Sequence, residues 1–125
     1  MRSQSDRIVY VVDDDEAVRE SMVAFLEAVG FAAQAFSGAR DFVARADLSR
    51  AGCLILDVHM PEASGIKLLA DLRRQGVAIP AVMMSGRSDP AIAAVAGRLG
   101  AAMLAKPPDD ENLIRLIDTA LSDAT

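Results

Sequence analysis

The sequence predicts an α/β fold, a (βα)5 doubly wound parallel sheet with strand order 2-1-3-4-5. Three observations predict it. Five apolar or alanine-rich runs alternate strictly with five segments of helical periodicity. Turn and breaker residues, among them Gly30, Ser37-Gly38, Gly76 and Gly100, punctuate that alternation. Strands joined through helices pair in parallel, and right-handed crossovers leave few topologies, of which 2-1-3-4-5 is a common one. The chain has 125 residues, 52% hydrophobic and 25% charged, which suits one domain with a sizeable core.

Residues 1–7 read as a polar N-terminal extension. Ile8 to Val12 is a β-branched strand that stops at Asp13-Asp14-Asp15-Glu16. Val18, Met22, Phe25 and Val29 then recur at spacings of 4, 3 and 4, one face of a helix that Gly30 ends. Phe31 to Phe36 is a weaker, alanine-rich strand. Ala39 to about Asp47 is a short helix with Phe42 and Val43 inward. Cys53-Leu54-Ile55-Leu56-Asp57 is the third strand, four apolar residues leading into one carboxylate.

Ile66, Leu69 and Leu72 recur every third residue in a helix that ends at Gly76. Ile79 to Met84 is the fourth strand, with Pro80 at its entry, where a missing N–H matters least. Asp89-Pro90 opens the next helix as cap and first residue, and Ile92, Val95 and Leu99 give it a thin apolar face. Ala101 to Ala105 is a weak fifth strand, ended by Lys106-Pro107-Pro108. Asp109 or Asp110 caps the last helix, whose Leu113, Leu116, Ile117, Ala120 and Leu121 share a face. No linker, repeat or low-complexity segment interrupts residues 1–125, so the expectation is a single domain.

Composition excludes several functions. A net charge of −5 argues against direct nucleic-acid binding, which needs a basic patch. One cysteine, Cys53, permits no internal disulfide, and it reads as a buried strand residue. No apolar run approaches the roughly 20 residues of a membrane span. The polar N-terminus lacks a signal-peptide core. These features predict a cytoplasmic protein that does not engage membrane.

The chemistry collects at the strand ends. Strand one delivers Asp13 and Asp14, strand three Asp57, strand four Ser85 and strand five Lys106. In a parallel sheet these ends lie on one edge, where open α/β folds bind ligands. Three carboxylates repel each other and any phosphate. One Mg²⁺ (or Mn²⁺) and Lys106 bring the cluster near neutrality. Mg²⁺ is hard and oxygen-seeking, and suits a few carboxylates with phosphate oxygens. In that setting Asp57 can act as a nucleophile toward a phosphoryl group, and Ser85 can donate to a phosphoryl oxygen. Read alone, the acid run Asp13 to Glu16 is a helix N-terminus and Lys106 a surface lysine. Their place in the set promotes Asp13, Asp14 and Lys106, while Asp15 and Glu16 stay cap and solvated first turn.

Val11-Val12-Asp13-Asp14-Asp15, Leu56-Asp57-Val58-His59-Met60-Pro61, Met84-Ser85-Gly86 and Lys106-Pro107 resemble the receiver domain of two-component response regulators. Val9-Tyr10-Val11-Val12-Asp13-Asp14 with Val18-Arg19-Glu20-Ser21 is most similar to the FixJ-type branch. The four motifs stand in family order over nearly the whole chain. The resemblance implies a flavodoxin-like fold and a signalling switch rather than a metabolic enzyme. It implies that Asp57 accepts phosphate from a sensor histidine kinase. Asp13, Asp14, Asp57 and the backbone carbonyl of His59 would bind Mg²⁺, and Ser85 and Lys106 would contact the phosphoryl group. The fourth helix, fifth strand and fifth helix would form the face for self-dimerisation or an output domain. The Lys106-Pro107 bond is often cis in the family.

The sequence departs from the family in two places. The family's aromatic residue on strand five, about three residues before the lysine, is replaced by Met103-Leu104, and no aromatic follows Phe42. The stretch from Gly100 to Lys106 also looks one residue shorter. Two other functions compete with this one. An aspartate-nucleophile phosphatase of the haloacid-dehalogenase type would need Thr or Val where Ala17 stands after Asp13-x-Asp15. A receiver-like interaction module that signals without phosphate is the other. A nucleotide-binding domain would need a glycine-rich loop after strand one. His59, the single histidine, reads as a loop side chain beside the site, and Met83, Met84 and Met103 as core filler. FixJ-type proteins usually carry a DNA-binding domain after such a receiver, so this chain is either a single-domain regulator or the first part of a longer one.

Overall fold

The computed structural model describes residues 7–60, 64–86, 89–106 and 108–123. Its strands are β1 (Ile8–Val12), β2 (Ala32–Phe36), β3 (Ala51–Asp57), β4 (Ala81–Ser85) and β5 (Ala101–Ala105). Its helices are α1 (Glu16–Ala28), α2 (Ala39–Arg45), α3 (Gly65–Arg74), α4 (Pro90–Arg98) and α5 (Asp110–Asp123). All strand pairs are parallel, in the order β2-β1-β3-β4-β5. This is the flavodoxin-like (βα)5 arrangement the sequence predicts.

Period-2 alternation divides the core into two layers. Tyr10, Val12, Leu54, Leu56 and Met83 pack with Phe42 of α2, Leu68, Leu69 and Leu72 of α3, and Ala96 of α4. Val9, Val11, Cys53, Ile55, Val82 and Met84 pack with Met22 and Leu26 of α1 and Leu113 and Ile117 of α5. β3 is buried along its whole length because strands and helices cover it on every side.

Some local expectations shift. The buried residues of α1 are Met22 and Leu26, so the helix is turned, leaving Val18, Phe25 and Val29 half-buried at its flanks. Val43 is not inward but 69% exposed, since the seven residues of α2 bury only Phe42. α2 also stops at Arg45 rather than Asp47. Asp47 instead caps a 3-10 turn (Leu48–Arg50), and its carbonyl accepts a 2.7 Å hydrogen bond from the hydroxyl of buried Tyr10. The early stop thus provides an acceptor for a phenol that would otherwise be buried unpaired. β3 starts at Ala51, two residues before Cys53. β4 begins at Ala81, one residue past Pro80, and runs on through Ser85. Asp109 caps α5, its carboxylate accepting from the Asn112 N–H at 3.1 Å.

Candidate functional site

β1 and β3 are neighbours, and Val12 at the end of β1 is in register with Leu56 of β3. The next residue on each is an aspartate, so Asp13 and Asp57 emerge side by side. Both share the facing of the α1/α5 layer, because they follow Val9 and Val11 and Cys53 and Ile55 by steps of two. Asp13 is fully buried and Asp57 is 5% exposed, while Asp14 stands exposed at the start of the loop. Asp13, Asp14 and Asp57 each offer a carboxylate oxygen, all within 4.8 Å of one another.

Lys106 follows β5, where Ala105 pairs with Ser85, and its N–H donates to the Ser85 carbonyl at 2.9 Å. It has the same strand parity as Leu104, which packs in the α1/α5 layer. β5 lies two strand positions from β3, about 10 Å. The long side chain crosses that gap over β4. Lys106 Nζ donates to Asp13 Oδ2 at 3.0 Å and lies 3.1 Å from Asp57 Oδ2. Burial works to lower the pKa of this ammonium, but its hydrogen bonds to Asp13 and Asp57 outweigh burial and raise it above the ordinary lysine value. The in-register ladder brings Lys106 to the site although the preceding stretch looks short.

The remaining polar atoms of the acids are held by the backbone. The Asp15 N–H donates to Asp13 Oδ1 at 2.9 Å, and the His59 N–H donates to Asp57 Oδ1 at 3.1 Å. Asp15 also caps α1, its carboxylate accepting from the N–H groups of Ala17 and Val18. The His59 side chain is exposed beside the site. Ser85 ends β4, 2% exposed, and lines a cavity of about 250 Å³ together with Pro90, Ala93, Met103 and Ala105. Pro61, Glu62, Ala63 and Pro107 lie outside the described residues, and with them the expected cis bond after Lys106.

Two residues at the site have no role assigned by the sequence. A Cβ on Gly65 would overlap the Asp57 carbonyl oxygen and sit 3.1 Å from the Asp57 carbonyl carbon. The α3 N-terminus therefore rests directly on the backbone of Asp57, and the Gly65 N–H donates to the Val58 carbonyl at 3.2 Å. A glycine opening a helix without a turn to explain it was the available signal. Arg19 is the other. Its Nη1 donates to the Asp13 main-chain carbonyl at 2.8 Å, a contact that no periodic pattern announces.

Among the described residues, no helix is long and apolar enough to cross a membrane. Residues 9–118 match the family described as the response regulator receiver domain. The response regulator protein TodT of Pseudomonas putida is 38% identical over 124 residues, 97% of this chain and 55% of TodT. The transcriptional regulatory protein FixJ of Azorhizobium caulinodans is 41% identical over 115 residues, 90% of this chain and 54% of FixJ. The chain thus spans about half the length of these relatives. Among solved structures, FixJ-N superposes with a TM-score of 0.84 at 35% identity, covering 93% of this chain and 94% of that one. The response regulator StyR superposes with a TM-score of 0.86 at 34% identity, covering 93% of this chain and 59% of that one. With the family match running from β1 into α5 and the acid cluster and lysine meeting at one edge, the chain belongs to the response regulator receiver domain family.

Proposed function

We propose that this chain is the phosphoacceptor switch of a two-component system, in which Asp57 takes a phosphoryl group from a phosphohistidine of a sensor histidine kinase. The observation that carries this reading is the Lys106 ammonium held between the carboxylates of Asp13 and Asp57 at the sheet edge. An Asp57 carboxylate oxygen forms the new P–O bond as the P–N bond to the imidazole breaks, the electron pair leaving with the ring. Lys106 balances charge on the phosphoryl oxygens, and the Ser85 hydroxyl donates to one of them.

Three carboxylate oxygens within 4.8 Å are a hard, oxygen-only donor set that fits Mg²⁺ or Mn²⁺. Asp13, Asp14, Asp57 and the His59 backbone carbonyl would hold the ion. Once bound, it would neutralise charge on the transferring phosphoryl group. The protein then works as a cytoplasmic switch that catalyses only its own loading and unloading. Loading changes the face of α4, β5 and α5, which engages a second copy or an output domain. The description of FixJ as a transcriptional regulator, and its greater length, support an output domain in the whole protein.

The test is labelling by acetyl phosphate or a phosphorylated kinase. Wild type should incorporate one phosphoryl group only with Mg²⁺ present, and Asp57→Asn none. Labelling that persists in Asp57→Asn would sink the assignment. One observation favours a second reading, a receiver that signals without phosphate: half-buried Met103 stands in place of the family's aromatic on β5. Partner binding unchanged by beryllofluoride would select that reading.

A further inference from the structure

We infer that Arg19 is a positioning residue for the cation site, holding the backbone between Asp13 and Asp14 so that both carboxylates meet the same ion. The inference rests on the metal reading given above, which assigns Arg19 no part.

Asp13 is held at every polar atom. Its N–H donates to the Phe36 carbonyl at 3.2 Å. Its Oδ2 accepts from Lys106 and its Oδ1 from the Asp15 N–H. Its carbonyl, at the point where the chain leaves β1, accepts from Arg19 Nη1 at 2.8 Å. That carbonyl belongs to the peptide unit joining Asp13 to Asp14. Turning this peptide plane would swing exposed Asp14 relative to buried Asp13, and so change the separation of their carboxylates. The other restraints act on Asp13 itself or on Asp15. Among the described residues, the Arg19 bond is the one that holds the linking peptide, and it comes from a helix seated on the sheet through Met22 and Leu26.

The guanidinium suits the task. It is half-buried, and its charge is permanent. Its cationic charge opposes entry of a divalent ion, whereas its hydrogen bond preorganises the ligands. The two effects have opposite signs on metal affinity, so the sign of the change in a variant separates them. Outer-shell partners that orient ligands typically change metal affinity tenfold or more when removed.

The test measures Mn²⁺ affinity by the electron paramagnetic resonance signal of the free ion, with Mg²⁺ competition, alongside thermal melts without metal. Arg19→Met should weaken Mn²⁺ binding by about tenfold. Arg19→Lys, which keeps a charged single donor, should fall between Arg19→Met and wild type. Tighter binding in Arg19→Met would show a repelling charge only and overturn the inference. Unchanged affinity with a lowered melting temperature would also overturn it, leaving Arg19 as packing. If Arg19→Met fails to fold, affinity in Arg19→Lys equal to or above wild type is the overturning result. Asp57→Asn and Asp14→Asn separate the two levels of the argument. If wild type binds no better than these variants, the metal reading fails and Arg19 with it. If wild type binds well and the Arg19 variants match it, the Arg19 inference fails alone.

Discussion

Lys106 Nζ lies 3.0 Å from Asp13 Oδ2, an ion pair between residues 93 positions apart in sequence, one of them fully buried. A buried carboxylate stays charged only when it is paired, and here the partner is the lysine expected to face a phosphoryl group. The same ammonium thus stabilises the fold and, on the proposed function, would face the phosphoryl group once Asp57 carries it. Removing it leaves Asp13 with the Asp15 N–H as its remaining side-chain partner. Lys106→Met should lower unfolding free energy by about 1–3 kcal/mol, read from urea titration at pH 7 without metal. A variant as stable as wild type would show that the pair contributes nothing.

The raised pKa of Lys106 makes a second, signed prediction. A lysine whose folded pKa exceeds its unfolded value binds its proton more tightly in the native state. Its contribution is complete below the unfolded pKa, about 10.4, and is lost as pH rises through the higher folded value. The stability difference between wild type and Lys106→Met should be constant from pH 7 to about 9 and shrink above about 10.4. A gap that widens with rising pH would contradict the pairing.

Gly65 makes a steric prediction. A methyl group there overlaps the Asp57 carbonyl and approaches Leu56 Cβ at 3.2 Å, so backbone must move. Gly65→Ala should cost about 1–3 kcal/mol and slow phosphoryl labelling, because the displaced residue is the proposed acceptor. Full stability with normal labelling would mean that the loop adjusts freely.

Met103 is placed to test the proposed signal transmission. It packs beneath α4 and lines the cavity beside Ser85, where alanines at 93 and 105 leave room. An unbranched thioether can repack in such a space without a discrete ring flip. Met103→Ala should keep Asp57 labelling but diminish the beryllofluoride-induced NMR shifts of Ala93 and Ala105. Shifts of wild-type size would exclude Met103 as the relay.

Cys53 is buried in β3, and burial pushes its thiol pKa up to about 12. Alkylation in the folded state should therefore be slower than in urea by on the order of a thousandfold or more, since it needs opening of the central strand. Rapid modification of native protein would place β3 in a far looser environment than a central strand provides.

The sequence by itself determined the elements, their alternation and the membership of the strand-end cluster. Asp13, Asp14, Asp57, Ser85 and Lys106 are each named by a run of apolar residues that stops. Parallel pairing then obliges those stops to share an edge. Tertiary structure decided the directions within that edge. Short helices bury few side chains, so which way Val43 or Phe25 faces depends on the neighbour that arrives, not on spacing alone. Gly65 against the Asp57 carbonyl and Arg19 on the Asp13 carbonyl are contacts with main-chain atoms, which every residue carries alike. No side-chain pattern can announce such a contact, because it exists only once helix and strand have been packed to a particular depth.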